Sequence, residues 1–200
     1  MIERTEQLSG FLHSLEAAIQ SQGNAEALQT SARIFSKLKS PGKSSTQPHL
    51  HTQLPACKYL QEALDTATVA DNGVAETVQY LSLLIDQVTW IHREGVEPSD
   101  EPFFSAHANA IISGPGGIEE RDDVWIGCSL VAPNTRYPDH KHPPAEVYLV
   151  LSDGEWRQEN DDWFEPGVGG VVYNSPDIVH AMRSHEKPLL AVWCLLVENT

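Results

Sequence analysis

Apolar positions in the first half of the chain repeat at helical spacing. Leu8, Leu12, Leu15 and Ile19 fall three or four residues apart, so they share one face of a helix that Gly23 can stop. Asn24 is placed to cap a second helix carrying Leu28, Ala32, Phe35 and Leu38, and Pro41-Gly42 ends it. Residues 40–55, rich in Ser, Pro, Gly, Thr and Gln, read as a loop. A third helix starts near Pro55 with Leu60, Ala63, Leu64 and Ala67 on one face. The fourth has the longest stripe: Val74, Val78, Leu81, Ile85, Val88 and Ile91, capped by Asp71 or Asn72 and closed by Gly95. That stripe is wide enough to pack on something larger than one helix, and part of it could serve a homodimer contact.

Beyond Pro98 the period changes. Short β-type runs occur near residues 103–106, 110–113, 124–132, 146–152, 155–158, 170–173, 179–183 and 189–197. Asp153-Gly154 is a hairpin signal. The glycine clusters at 114–117 and 166–170 read as turns, because neither follows a strand and opens a helix as a phosphate cradle does. About eight short strands in roughly 100 residues predict a sandwich or a small closed barrel. The expected organisation is a helical subdomain over residues 1–98 and a mainly β unit over residues 99–200.

Composition narrows the function classes. A chain of 200 residues, 40% hydrophobic and 20% charged, can bury a sizeable core and is not a disordered polyelectrolyte. Thirteen Lys and Arg against 28 Asp and Glu give a net charge of -15, which repels nucleic-acid phosphates and anionic membranes alike. A small ligand in a closed pocket answers to local groups instead. Cys57, Cys128 and Cys194 are odd in number and widely spaced, so neither a disulfide framework nor a metal knuckle is expected. No apolar run approaches the ~20 residues of a membrane span. The amino terminus lacks a basic region followed by an apolar one, so a cytoplasmic location is the expectation.

The densest chemistry lies between Tyr137 and Tyr148, in Tyr-Pro-Asp-His-Lys-His-Pro-Pro-Ala-Glu-Val-Tyr. Residues two apart on a strand share a face, so His140 can pair with His142 and Glu146 with Tyr148. Pro143-Pro144 turns the chain between the two pairs. Imidazole and carboxylate together suit a divalent first-row metal, and His180, entering another apolar run, is the best distal ligand. His49 and His51 form a second His-x-His pair without a carboxylate at ligand spacing, and read as solvated.

His140-x-His142-x3-Glu146-x7-Gly154, followed by Gly169-x10-His180, resembles the two metal-binding motifs of the cupin superfamily. Motif one has one extra residue before its closing glycine; Ser175-Pro176-Asp177 stands where Pro-x-Gly is usual, and no Asn follows His180 at the usual place. The fuller series of Tyr137, His140, His142, Glu146, Tyr148 and His180 is similar to the bacterial cupin lyases that cleave dimethylsulfoniopropionate, the DddQ type. The resemblance implies a cupin-type small β-barrel preceded by helices. It further implies one divalent transition metal per chain (zinc, iron or manganese) held by His142, Glu146, Tyr148 and His180, with His140 and Tyr137 lining the substrate pocket.

The implied substrate is a small zwitterionic sulfonium carboxylate, and the implied reaction is β-elimination to dimethyl sulfide and acrylate. Its difficult step is removing a proton beside a carboxylate, which calls for a strong base. Free tyrosine, with a pKa of about 10, is only ~0.1% phenolate at neutral pH, so Tyr148 or Tyr137 would need a nearby cation to serve. A sulfonium also favours aromatic walls, for which Trp125, Tyr173 and Trp193 are candidates; Trp156 and Trp163 are expected outside the pocket. The competing readings are a cupin isomerase or oxygenase acting on another small carboxylate or sugar, and a non-catalytic metal-binding sensor.

Overall fold

The computed structural model describes residues 4–45, 54–68 and 73–198. His49, His51, Asp71 and Asn72 lie outside the described residues. Helix α1 (Glu6–Gln22) begins where the Thr5 side chain accepts from the Leu8 N–H, and it ends at Gly23. Helix α2 (Ala25–Leu38) is capped by Asn24, whose side-chain oxygen accepts from Ala27 N at 2.9 Å. Its buried face runs through Ala27, Thr30, Ser31, Ile34, Phe35 and Leu38, whereas Leu28 is exposed. Thr30 and Ser31 take positions against the core, so a stripe drawn through apolar residues alone was turned by about one position.

Strand β1 (Lys43–Ser44) comes next, then a 3-10 turn (Pro55–Tyr59) leading into α3 (Leu60–Thr68). Helix α4 (Ala75–Leu84) is shorter than its apolar stripe: a 3-10 turn covers Ile85–Gln87 and Val88 is extended. Strand β2 (Trp90–Ile91) then pairs with Asn109 and Ala110. Backbone pairing overrides the helical period there, and Ile91 is left exposed. Residues 103–106, expected as a strand, form the short helix α5 (Phe103–Ala106), whose turn is held by the Ser105 hydroxyl donating to the Glu101 carboxylate.

The strands that follow are β3 (His107–Ser113), β4 (Glu119–Glu120), β5 (Val124–Val131), β6 (Arg136–His140), β7 (Ala145–Val150), β8 (Glu155–Gln158), β9 (Val171–Asn174), β10 (His180–Arg183) and β11 (Leu189–Leu196). They make two sheets. The larger runs β1-β4-β3-β5-β11-β7-β9 with β2 on β3; the smaller runs β6-β10-β8. The expected small β-barrel preceded by helices is therefore the architecture. Asp153-Gly154 joins β7 to β8 across the two sheets rather than closing a hairpin. Gly154 lacks the positive φ that a tight two-residue hairpin requires, and instead lies where a Cβ would strike the Leu189 side chain at 2.3 Å.

The large sheet is buried on both faces, and alternation along each strand divides its side chains between two cores. Val147, Leu149, Leu190, Val192, Cys194, Ile126 and Cys128 face the helices. Tyr148, Val150, Ala191, Trp193, Leu195 and Val131 face the smaller sheet, with Tyr137, Trp156 and Met182. Gly127 pairs with Trp193, and a Cβ there would lie 2.3 Å from the indole, so only glycine leaves room for that ring. Arg121 ties the helices to the sheet by donating to Lys37 O at 3.1 Å, to Glu119 at 2.7 Å and to Asp123 at 2.8 Å. An open depression of about 1310 Å³ beside Arg121 lies away from the tyrosine and histidine cluster.

Candidate metal centre

Three elements bring the donors together. Strand β7 carries Glu146 and Tyr148 on its inner face. The first residue of β10, His180, pairs with His140 at the end of β6 and with Gln158 at the end of β8. His142 sits in the turn between β6 and β7, where its carbonyl accepts from Asp177 N at 3.0 Å. Asp177 has φ +59°, so the aspartate takes the left-handed position at which cupins usually place glycine, and the turn before His180 survives.

Glu146 Oε2 lies 3.3 Å from His142 Nε2 and 3.3 Å from His180 Nε2. One ligand atom from each of the three residues falls within 4.8 Å of the others. His142 Nδ1 is 3.0 Å from Pro144 O, and His180 Nδ1 is 3.0 Å from Ile178 O. Each Nδ1–H therefore donates to a carbonyl, which leaves the Nε2 lone pairs facing the carboxylate. His180 Nε2 is buried with no hydrogen-bond partner of ordinary geometry. Lone pairs and a carboxylate aimed at one point need a cation between them, so the donor set fits a divalent metal.

The electrostatics agree. Burial alone would raise the Glu146 carboxyl, but His142 and His180 outweigh it and hold the group well below the usual carboxylate range. Burial would lower His142, yet Glu146 wins and raises it. A proton on His142 can thus take the place of a metal, so acid competes with metal loading. Glu146 also accepts from Asn174 Nδ2 at 2.9 Å. Asn174 is oriented in turn by Gln158 Nε2, which donates to its Oδ1 at 2.7 Å and to Tyr173 O at 2.6 Å.

A cavity of about 560 Å³ opens beside this cluster, lined among others by Tyr137, His140, Tyr148, Trp125, Trp193 and Arg93. Burial, reinforced by the charge of Glu146, pushes the Tyr148 phenol well above its ordinary value. Tyr137 is pushed to about 12 by burial, against a hydrogen bond from Asn109 Nδ2 at 3.2 Å and the charge of Arg93. His140 is lowered to about 3 by burial and by His180, and its Nδ1–H donates to Pro138 O at 3.0 Å, so it is a neutral acceptor against Tyr137. Ring centroids of Tyr137 and His140 are 4.8 Å apart.

Of the aromatic residues expected around the cavity, Trp125 and Trp193 line it and Tyr173 does not. Tyr173 pairs with Val147, which faces the helices, so it packs into that other core; its neighbour Val172 faces inward beside Tyr148. Trp156 is outside the cavity lining but is buried behind Tyr148, ring centroids 6.3 Å apart. Trp163 packs on the guanidinium of Arg183 instead. Arg93, Asn109, Asn174 and Gln158 join the site without any spacing signal in the sequence. A second group, Glu155, Glu165 and His185, is largely exposed, and Arg183 already supplies a cation to Glu155.

Residues 26–191 match the dimethylsulfoniopropionate lyase family model. The chain belongs to that family. It is 26% identical over 131 residues to the putative dimethylsulfoniopropionate lyase DddL of Cereibacter sphaeroides, covering 65% of this chain and 53% of that protein. It is also 26% identical over 91 residues to the dimethylsulfoniopropionate lyase DddQ of Ruegeria pomeroyi, covering 45% of each. The chain thus spans about half the length of the curated relatives it matches. The crystal structure of DMSP lyase DddQ from Ruegeria pomeroyi superposes with a TM-score of 0.71 at 17% identity, covering 98% of this chain and 93% of that one. A chain from the structures of the DMSP lyases RdDddP and RnDddQII gives 0.73 at 16% identity, covering 96% and 92%. At such identities the superpositions establish the shared fold.

Proposed function

We propose that this member of the family is a metal-dependent carbon–sulfur lyase that cleaves dimethylsulfoniopropionate to dimethyl sulfide and acrylate. The observation that carries the reading is the approach of His180 to 3.3 Å from Glu146, beside a cavity walled by two buried tyrosines. His142, Glu146 and His180 would hold one zinc, iron or manganese ion, with Tyr148 as the fourth donor. When bound, that ion supplies Lewis-acid polarisation of a carboxylate oxygen.

The chain's own groups do the rest. A tyrosine oxygen takes the proton from the carbon next to the substrate carboxylate. The electron pair of that C–H bond forms the new double bond as the C–S bond breaks, and its pair leaves on a sulfur that becomes neutral. No acid is needed at the leaving group, and the proton stays on the protein. Both phenols are protonated in their buried setting, so positive charge near them is a condition of their acting as base. Arg93 and Asn109 already act in that direction on Tyr137. His140 is held neutral beside it and adds no positive charge of its own. Trp125 and Trp193 give the sulfonium aromatic faces.

Headspace measurement of dimethyl sulfide from purified protein and substrate tests the reading, with chelator-treated protein as control. Sulfide is expected only from metal-loaded protein, and alanine at His142, Glu146 or His180 should lower bound metal and sulfide together. No sulfide above the control overturns the lyase and favours an isomerase or oxygenase on the same ligands.

A further inference from the structure

We infer that Arg93 is the anion-binding arm of the cavity and takes the carboxylate of the ligand. Arg93 lies between β2 and α5, and its backbone is fixed from both sides. Its N–H donates to His107 Nε2 at 3.0 Å, and its carbonyl accepts from Val96 N at 3.2 Å. His107 is fully buried, donates Nδ1–H to Phe103 O at 2.8 Å and stacks on Phe103 with centroids 4.0 Å apart. The guanidinium is thereby directed over the Tyr137 ring, 5.6 Å from its centroid.

Apart from that ring contact, the guanidinium has no ion pair among the described residues. Arg4, Arg33, Arg121, Arg136, Arg157 and Arg183 each pair with a carboxylate. Arg93 alone among the described arginines pairs with none, in a chain with 28 acidic residues. Its Nε is buried and unbonded, and so is the indole N–H of Trp125 on the same cavity wall. Buried donors without acceptors are costly, and a charged one more so. Of the two acids that line the cavity, Glu146 is already engaged by His142, His180 and Asn174, and Glu94, next to Arg93 in the chain, makes no ion pair with it. What satisfies both donors is an anion brought by the ligand, and a carboxylate offers two oxygens to a guanidinium.

The inference rests on the lyase reading only for which carboxylate is bound, so it is tested with probes that cannot react. Propionate and the neutral propionamide are titrated into the full chain, as purified and after chelator treatment, following the fluorescence of the cavity tryptophans. In wild type, propionate should bind more tightly than propionamide in both preparations. Arg93→Met should weaken propionate by about tenfold or more, as expected for a lost charge-assisted hydrogen bond, and leave propionamide unchanged; Arg93→Lys should restore part of the loss. Unchanged propionate binding in Arg93→Met, or an equal loss for both probes, overturns the inference. A flat result with dimethyl sulfide still released removes Arg93's role alone; an Arg93-dependent preference for propionate without any sulfide removes the lyase reading alone.

Discussion

Replacing Asn174 by alanine should loosen metal binding far more than it loosens the fold. Asn174 is fully buried on β9, directly across from Glu146 on β7. Its Nδ2 donates to Glu146 Oε2, while its Oδ1 is held by Gln158, so the amide cannot flip and the carboxylate is fixed in rotation. A hydrogen bond to a charged group contributes about 1.5–3 kcal/mol. Loss of an outer partner of a metal ligand typically weakens metal binding about 10- to 100-fold, or about 1.4–2.8 kcal/mol, in the same range. Gln158 keeps its bond to Tyr173 O, so the substitution orphans little else. Competition against a chromophoric chelator gives the metal affinity, and thermal melting of the metal-free chain gives the structural cost. An affinity within about twofold of wild type would refute the claim that Asn174 orients Glu146.

Tyr148→Phe and Tyr137→Phe each delete one oxygen and keep the ring; the variant that removes the base should lose about 10²–10⁴-fold in sulfide release per bound metal ion, and two variants each within tenfold of wild type would rule out a phenol base. His107 is lowered from 6.5 to about 4 by burial, with His92 and Arg93 adding to this against the bond to Phe103 O. A lowered histidine contributes stability fully above its unfolded value, and that contribution is lost as pH falls from 6.5 toward 4, by about 3 kcal/mol. His107→Gln should flatten denaturant-measured stability across that window, and an unchanged slope would contradict a neutral buried His107. Gly127→Ala should destabilise by about 1–3 kcal/mol and alter tryptophan emission, because the new methyl must displace the Trp193 ring or open the β3–β5 pairing.

Several parts of this molecule could be read directly from the chain. The alternation from Val147 onward fixed which side of β7 carries Glu146 and Tyr148, and the caps at Gly23 and Asn24 follow from local chemistry. What escaped depends on distant partners. Strand β6 exists because His140 and Met182 belong to paired strands more than forty residues apart, and its own residues carry little strand signal. Tyr173 faces the helices because its register is set against Val147, which no pattern within β9 reveals. No spacing in the sequence singles out Arg93; its half-buried place over Tyr137 comes from the fixing of its backbone against His107, fourteen residues away.

The carbonyls that orient the three imidazoles are those of Pro138, Pro144 and Ile178, each two residues from the ring it holds. The tautomer is thus written into short stretches of backbone and does not wait for a visiting ion to impose it. At a pH above the raised titration of His142, isotope-edited spectra should find these rings in one tautomeric form whether the ion is present or stripped away. Loading would then proceed without rearrangement of the shell, its organising entropy having been surrendered once, when the chain folded.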